Sequence, residues 1–132
     1  MLHIIRLGLV KYSEALEIME AEHALLSADV TRPEKLIVVN HFPVVTMGNR
    51  KLDSDLNQPI ETLSQLGIEY SKIDRGGSAT AHEPGQLVLY PLVRLDGKTR
   101  TVRSFVCSLE QAMIDCCEKF GIKAQRDPLH PG

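Results

Sequence analysis

Hydrophobic and polar positions divide this chain into short runs of two periods. Ile4 to Val10 is apolar enough for a strand. Tyr12 to Ala28 then places Tyr12, Ala15, Leu16, Met19, His23 and Leu26 at helical spacing, and Thr31-Arg32-Pro33 ends the pattern. Leu36-Ile37-Val38-Val39 is continuously apolar and β-branched, as expected of a strand covered on both faces. A second run, Pro43 to Met47, closes at Gly48. Pro59 suits the first position of a short helix ending at Gly67, and Ile68 to Ile73 follows as a strand. Leu87 to Tyr90 predicts another strand, with Pro91 marking a bulge or an end.

The longest pattern comes late. Val102, Phe105, Val106, Leu109, Ala112, Met113, Cys116 and Phe120 form one apolar stripe on a five-turn helix. Thr101 is placed to cap its start, and Gly121 to stop it in a left-handed conformation. Ile122 to Gln125 is expected to begin a further strand. The turn-like residues Asp127 to Gly132 suggest a chain that stops partway through a fold. Strands and helices interleave without strict alternation, so the expected class is α+β, with helices packed on one mixed sheet.

Composition narrows the functional classes. A chain of 132 residues fits a single domain that buries roughly 68–70% of its unfolded surface. Its 43% hydrophobic and 24% charged residues are ordinary for a globular domain. A net charge of −2 and the absence of Trp offer neither a bulk attraction for nucleic acid nor the usual stacking platform. No run of 18 apolar residues predicts a membrane span, and no signal-peptide pattern opens the chain. Three cysteines, Cys107, Cys116 and Cys117, make no disulfide framework, so a reducing compartment, the cytoplasm, is expected. His3, His23, His41 and His130 show no metal-ligand spacing, and no metal is expected. His23 reads as a half-buried structural residue. Asp53, Asp55, Glu61 and the glutamates from Glu14 to Glu22 read as solvated faces.

The chemistry concentrates between two strand-like runs, in Arg75-Gly76-Gly77-Ser78-Ala79-Thr80-Ala81-His82-Glu83-Pro84-Gly85-Gln86. A loop this long in a compact domain is usually functional or disordered. Gly76, Gly77 and Gly85 allow positive φ and close backbone approach. Successive N–H groups there can form a concavity for an anion or carbonyl, with Arg75 as a bidentate cation. His82 can orient a substrate or move a proton, and Gln86 both donates and accepts. The alternative is a tight turn in which Arg75 pairs with Asp74 or a surface carboxylate. The segment is neither a P-loop nor a dinucleotide fingerprint.

Arg-Gly-Gly-x-x-Thr-x-His-x-Pro-Gly-Gln-Leu-Val-x-Tyr-Pro, from Arg75 to Pro91, resembles the signature of lipoyl(octanoyl) transferases. Glu34 to Gly48, with His41-Phe42-Pro43-Val44-Val45-Thr46-Met47-Gly48, resembles the segment that precedes it, and Arg103 to Ile122 the family's long helix. The resemblance implies the fold of the catalytic domains of lipoate and biotin protein ligases, as one incomplete domain over residues 1–132. It implies transfer of octanoyl from octanoyl-acyl carrier protein to a lysine of lipoyl domains, those of 2-oxoacid dehydrogenase complexes and the glycine cleavage H protein. Arg75, Gly76, Gly77, Ser78, Ala79, Thr80, Ala81 and His82 would line the acyl pocket, with Gln86 and His41 beside them, and no cofactor is implied.

Two positions depart from the family pattern. Ala81 stands where an aromatic residue is frequent and would enlarge the pocket, and Glu83 stands where Gly is usual. The family's nucleophile is a cysteine in a Pro-Cys-Gly context, activated by a lysine, and both are expected downstream of the point matching Gly132. No Pro-Cys-Gly occurs here. No catalytic residue is therefore assigned, and Cys116, on the apolar stripe, reads as a small buried hydrophobe. The rival readings are an inactive remnant or interaction module of the same fold and an ATP-dependent lipoate ligase. Sheet edges left open by an incomplete fold make self-association a further expectation.

Overall fold

A computed structural model describes residues 2–50 and 56–127. Asp53, Asp55, His130 and the turn-like residues 128–132 lie outside the described residues. The chain forms two compact units, Met1–Val93 and Arg94–Gly132.

The first unit builds the same arrangement twice. Strand β1 (Leu2–Val10) leads through helix α1 (Tyr12–Ala28) to the parallel strand β2 (Glu34–His41). Strand β3 (Val44–Met47) leads through helix α2 (Ile60–Gln65) to the parallel strand β4 (Glu69–Lys72). Each pair takes one antiparallel partner: β5 (Ala79–His82) beside β3, and β6 (Val88–Leu92) beside β2. The orders are β1-β2-β6 and β4-β3-β5, two mixed sheets where one was expected. The division falls at Phe42-Pro43. Phe42 N still donates to Val10 O at 3.2 Å, extending the first sheet, whereas Pro43 has no N–H and its carbonyl accepts from Glu69 N at 2.9 Å in the second.

The core lies where α1 meets β2. Ile37, Val39 and His41 alternate on the buried face of β2, and Tyr12, Ala15 and Leu26 come from α1. The other face of β2 is only half-buried, less than its apolar run predicts. His23 is exposed rather than half-buried, because Glu22 and Leu26 occupy the inward positions of its turns. Helix α1 has no side-chain cap of its own. Instead Glu69, from β4, accepts from Ser13 N at 3.2 Å, setting a carboxylate against the positive end of the helix. Strand β1 carries a bulge between Arg6 and Gly8, and Gly8 takes φ 72° there. Pro59 is the residue before α2 rather than its first helical residue.

In the second unit, helix α3 (Val102–Lys119) has both expected ends. Thr101 Oγ1 accepts from Ser104 N at 3.1 Å while Ser104 Oγ accepts from Thr101 N at 2.9 Å, a reciprocal capping box. At the other end Gly121, at φ 71°, donates to Glu118 O, and Ile122 N reaches Cys117 O. None of the α3 residues is buried, so the predicted stripe is present in spacing but not covered, and Cys107 and Cys116 are exposed. Ile122 to Gln125 is not a strand. Arg126 folds back on α3 instead, donating through Nε to Glu110 and through Nη2 to Cys107 O and Gln111.

Candidate functional site

A third of the predicted loop is strand. Residues Ala79–His82 form β5, paired with β3 through Val44↔His82, Val45↔Ala81, Thr46↔Thr80 and Met47↔Ala79. Thr and His suit a half-buried pleat, and β3 offers an open edge. The pleat splits the four candidate residues within the strand between two faces. Thr80 and His82 share one face with Thr46 and Val44. Ala79 and Ala81 share the other with Val45, where with Leu56 and Leu63 they line an apolar depression of about 340 Å³. The small Ala81 therefore opens space behind the strand, away from His82.

Arg75 is the clasp of the remaining loop. Its Nη2 donates to Thr46 O (3.2 Å), Thr46 Oγ1 (3.0 Å), Ser78 O (2.9 Å) and Thr80 Oγ1 (2.8 Å), sharing two hydrogens among four acceptors. Nη1 donates to Gly76 O at 2.9 Å. The guanidinium thus holds oxygens of its own loop rather than a carboxylate, and Asp74 accepts instead from Asn49 Nδ2 at 2.6 Å. A cation spread over carbonyls and hydroxyls keeps its charge while fixing the turn.

Gly48 seats this loop, a role its place at the end of an apolar run does not reveal. Gly48 N donates to Ser78 O, Asn49 N to Arg75 O and Arg50 N to Gly77 O, all at 2.9–3.0 Å. A Cβ on Gly48 would stand 2.5 Å from Gly77 O and 2.9 Å from Arg75 O. Of the loop glycines, Gly77 (φ 82°) and Gly85 (φ 92°) use the left-handed region and Gly76 does not. Gly85 follows Pro84 in a turn closed by Gln86 N donating to Glu83 O at 3.1 Å. Its own N–H donates to Asn40 Oδ1 at 3.0 Å, so β2 steadies the turn.

Four rings gather where the two sheets and α1 meet. His82 lies parallel to Tyr12 (8°, centroids 6.4 Å apart) and 5.5 Å from His41. His41 is fully buried and also lies near Tyr12 (5.4 Å) and Tyr90 (5.9 Å). Its Nδ1 faces Val10 O at 3.4 Å, and a carbonyl only accepts, so Nδ1 carries the hydrogen. Nε2 then accepts from the Tyr90 hydroxyl at 2.9 Å. Burial pushes His41 below the ordinary imidazole pKa, with the nearby His82 adding to the effect. Burial likewise raises Tyr12, and lifts Tyr90 to about 12. The result is a dry, neutral floor beneath the exposed edge of His82. Tyr12 had no signal in the sequence beyond helix spacing, and Tyr90 none beyond a strand position and its place in the Arg75–Pro91 motif.

The structure thus brings Arg75, Thr80, His82, Gln86 and His41 to one side and turns Ala79 and Ala81 to the other. Among the described residues, no group of three His, Cys, Asp or Glu could hold a metal ion, and no helix is long and apolar enough to cross a membrane.

Residues 11–130 match the lipoyl protein ligase A/B catalytic domain. The chain belongs to that family. The mitochondrial octanoyl-[acyl-carrier-protein]:protein N-octanoyltransferase LIPT2 of Danio rerio is 37% identical over 127 residues, covering 94% of this chain and 55% of that protein. An octanoyltransferase of Aromatoleum aromaticum is 40% identical, covering 96% of this chain and 52% of its own length. The chain therefore spans about half the length of the curated relatives it matches.

Among solved structures, a candidate lipoate protein ligase from T. acidophilum with bound lipoic acid superposes at a TM-score of 0.69. The match has 16% identity and covers 98% of this chain and 54% of that one. Lipoate-protein ligase A bound with ATP gives 0.63 at 15% identity, covering 99% and 52%. These two establish the fold, the expected α+β, ligase-like one.

Proposed function

We propose that this chain is the acyl-binding part of an octanoyltransferase of lipoate synthesis. It would work with octanoyl-acyl carrier protein as donor and a lysine of lipoyl domains, in 2-oxoacid dehydrogenase complexes and the glycine cleavage H protein, as acceptor. The observation that carries this reading is the clasped loop. Arg75 and Gly48 lock a turn whose following strand presents Thr80 and His82 together, with Gln86 and His41 behind them. The names of the relatives, at 37–40% identity, supply the acyl group and its carrier.

In this reading a preorganised polar rim receives the thioester end of the acyl group, because a rigid loop loses little entropy on binding. A thioester is already activated, so neither nucleotide nor metal enters the reaction. The attacking sulfur would come from outside these 132 residues. The cytoplasm is the proposed setting, and pairing of open sheet edges in a self-associated form is proposed with it.

The test is acyl transfer monitored by gel shift, with octanoyl-acyl carrier protein, a lipoyl domain and no ATP. The assay uses this chain alone and then the chain extended by its downstream coding sequence. Acylation only with the extension is the expected result. The ATP-bound ligase of similar fold motivates a second reading. Acylation from free octanoate that requires ATP, with none from the carrier thioester, would select that one. No acylation by either form would leave the interaction module standing.

A further inference from the structure

The two histidines of the ring cluster are wired differently. His41 engages both ring nitrogens. His82 engages one: Nδ1 lies 2.9 Å from Gln86 Oε1, and an amide oxygen only accepts, so Nδ1 carries the hydrogen. In the neutral tautomer so fixed the lone pair lies on Nε2, and among the described residues no group hydrogen-bonds to it. The ring plane is set by the parallel ring of Tyr12 and by His41 beneath. An imidazole with its tautomer fixed at one nitrogen and its orientation fixed by neighbours is arranged as a general base.

We propose that His82 is a proton-transfer residue of the acyl-transfer site, acting through Nε2 on the attacking lysine. This rests on the acyl-transfer reading above and assigns a role within it. The lysine nitrogen forms a bond to the carbonyl carbon of the acyl thioester that the incoming cysteine sulfur has taken from the carrier, and the carbon–sulfur bond to that cysteine breaks. The proton shed by the nitrogen passes to Nε2 and then from the imidazolium to the departing thiolate. Nothing is oxidised or reduced. Several charged or titratable groups face His82. Tyr12 comes from α1 and His41 from β2, Tyr90 of β6 stands behind His41, and Glu83 is next in the chain. Glu69 of β4 shares the row Glu69–Val44–His82, and Arg75 lies in the loop. Burial disfavours the charged forms of both tyrosines and of His41, which leaves Glu69, across β3, and Glu83, next in the chain, as the carboxylates around His82.

Two measurements decide the matter. Ring-nitrogen NMR of this chain, assigned by loss of the signal in His82→Gln, should show hydrogen on Nδ1 only; hydrogen on Nε2 overturns the proposal. In the transfer assay, His82→Gln should lower kcat about 10²-fold or more while KM for the octanoyl donor stays within about twofold. Gln86→Glu should move the acid limb of the kcat/KM profile to higher pH, because a carboxylate stabilises the imidazolium. Loss confined to KM, or a limb that does not move, refutes proton transfer. If the unaltered protein, with its downstream sequence, transfers nothing, the functional reading itself fails, and that result is separate from an active protein indifferent to His82.

Discussion

Replacing Gly48 by alanine tests how the glycine-rich loop is held. The added methyl would stand 2.5 Å from Gly77 O, 2.9 Å from Arg75 O and 3.0 Å from Gly76 O, all backbone atoms that cannot rotate away. The loop must lift. Three backbone hydrogen bonds then weaken together, those from the amides of Gly48, Asn49 and Arg50. Each contributes about 0.5–1.5 kcal/mol net, and overpacking alone costs about 1–3 kcal/mol. Partial relief of one by the other makes roughly 2–4 kcal/mol the expected loss. Gly76→Ala is the internal control. Its Cβ would meet nothing within 4 Å and its φ is not left-handed, so it should be neutral or stabilising by up to about 1 kcal/mol. Urea unfolding of both variants, with hydrogen exchange at the amides of residues 48–50, measures the difference. A Gly48→Ala loss below about 1 kcal/mol with unchanged exchange would show that the loop is not seated as described.

Other substitutions probe the rest of the site. Arg75→Lys keeps the charge but cannot span Gly76, Thr46, Ser78 and Thr80. It should cost about 1.5–3 kcal/mol in urea unfolding, and a loss under 0.5 kcal/mol (on the same approximate scale) would remove Arg75 as the clasp. Tyr90→Phe leaves the buried Nε2 of His41 without its donor, for an expected loss of about 1–3 kcal/mol by thermal or chemical unfolding. His41 makes stability depend on pH. Its folded pKa lies below 6.5, so the unfolded chain takes up the proton first. Its contribution is present above about pH 6.5 and is lost as pH falls toward the folded value. His41→Gln should flatten that part of the stability–pH curve, and an unchanged slope argues against the assignment. Ala81→Phe should fill the apolar depression behind β5, raise stability by about 1 kcal/mol and leave octanoyl binding intact; lost binding would place the acyl chain on that face instead.

Several of these features could be read directly from the residues. Spacing located α1 and α3 closely, because an apolar stripe needs only a helix to form it. Thr101 and Gly121 announced the ends of α3 through local hydrogen bonds. Gly77 and Gly85 take the positive φ their residue type allows, and the Arg75–Pro91 motif announced the family. Other features had no local signal. Glu69 caps a helix 56 positions earlier in the chain, and Gly48 is indispensable because carbonyls 27 to 29 positions later press against it. Ala79 to His82 looked like loop because its glycine and proline neighbours are, yet β3 supplied the partner that made it strand. Ile122 to Gln125 had a strand's composition and, among the described residues, no partner.

The sequence by itself determined most of the helices and strands and marked the candidate residues, since both follow from side-chain type and near-neighbour spacing. Only the tertiary structure decided what those residues do. It made Arg75 the clasp of its own loop, sent Ala81 and His82 to opposite faces of one strand, and left His82 with a single unshared nitrogen. The reason is physical. Pleat alternation, hydrogen-bond competition and burial depend on which distant strand arrives alongside, and no local window of residues contains that information.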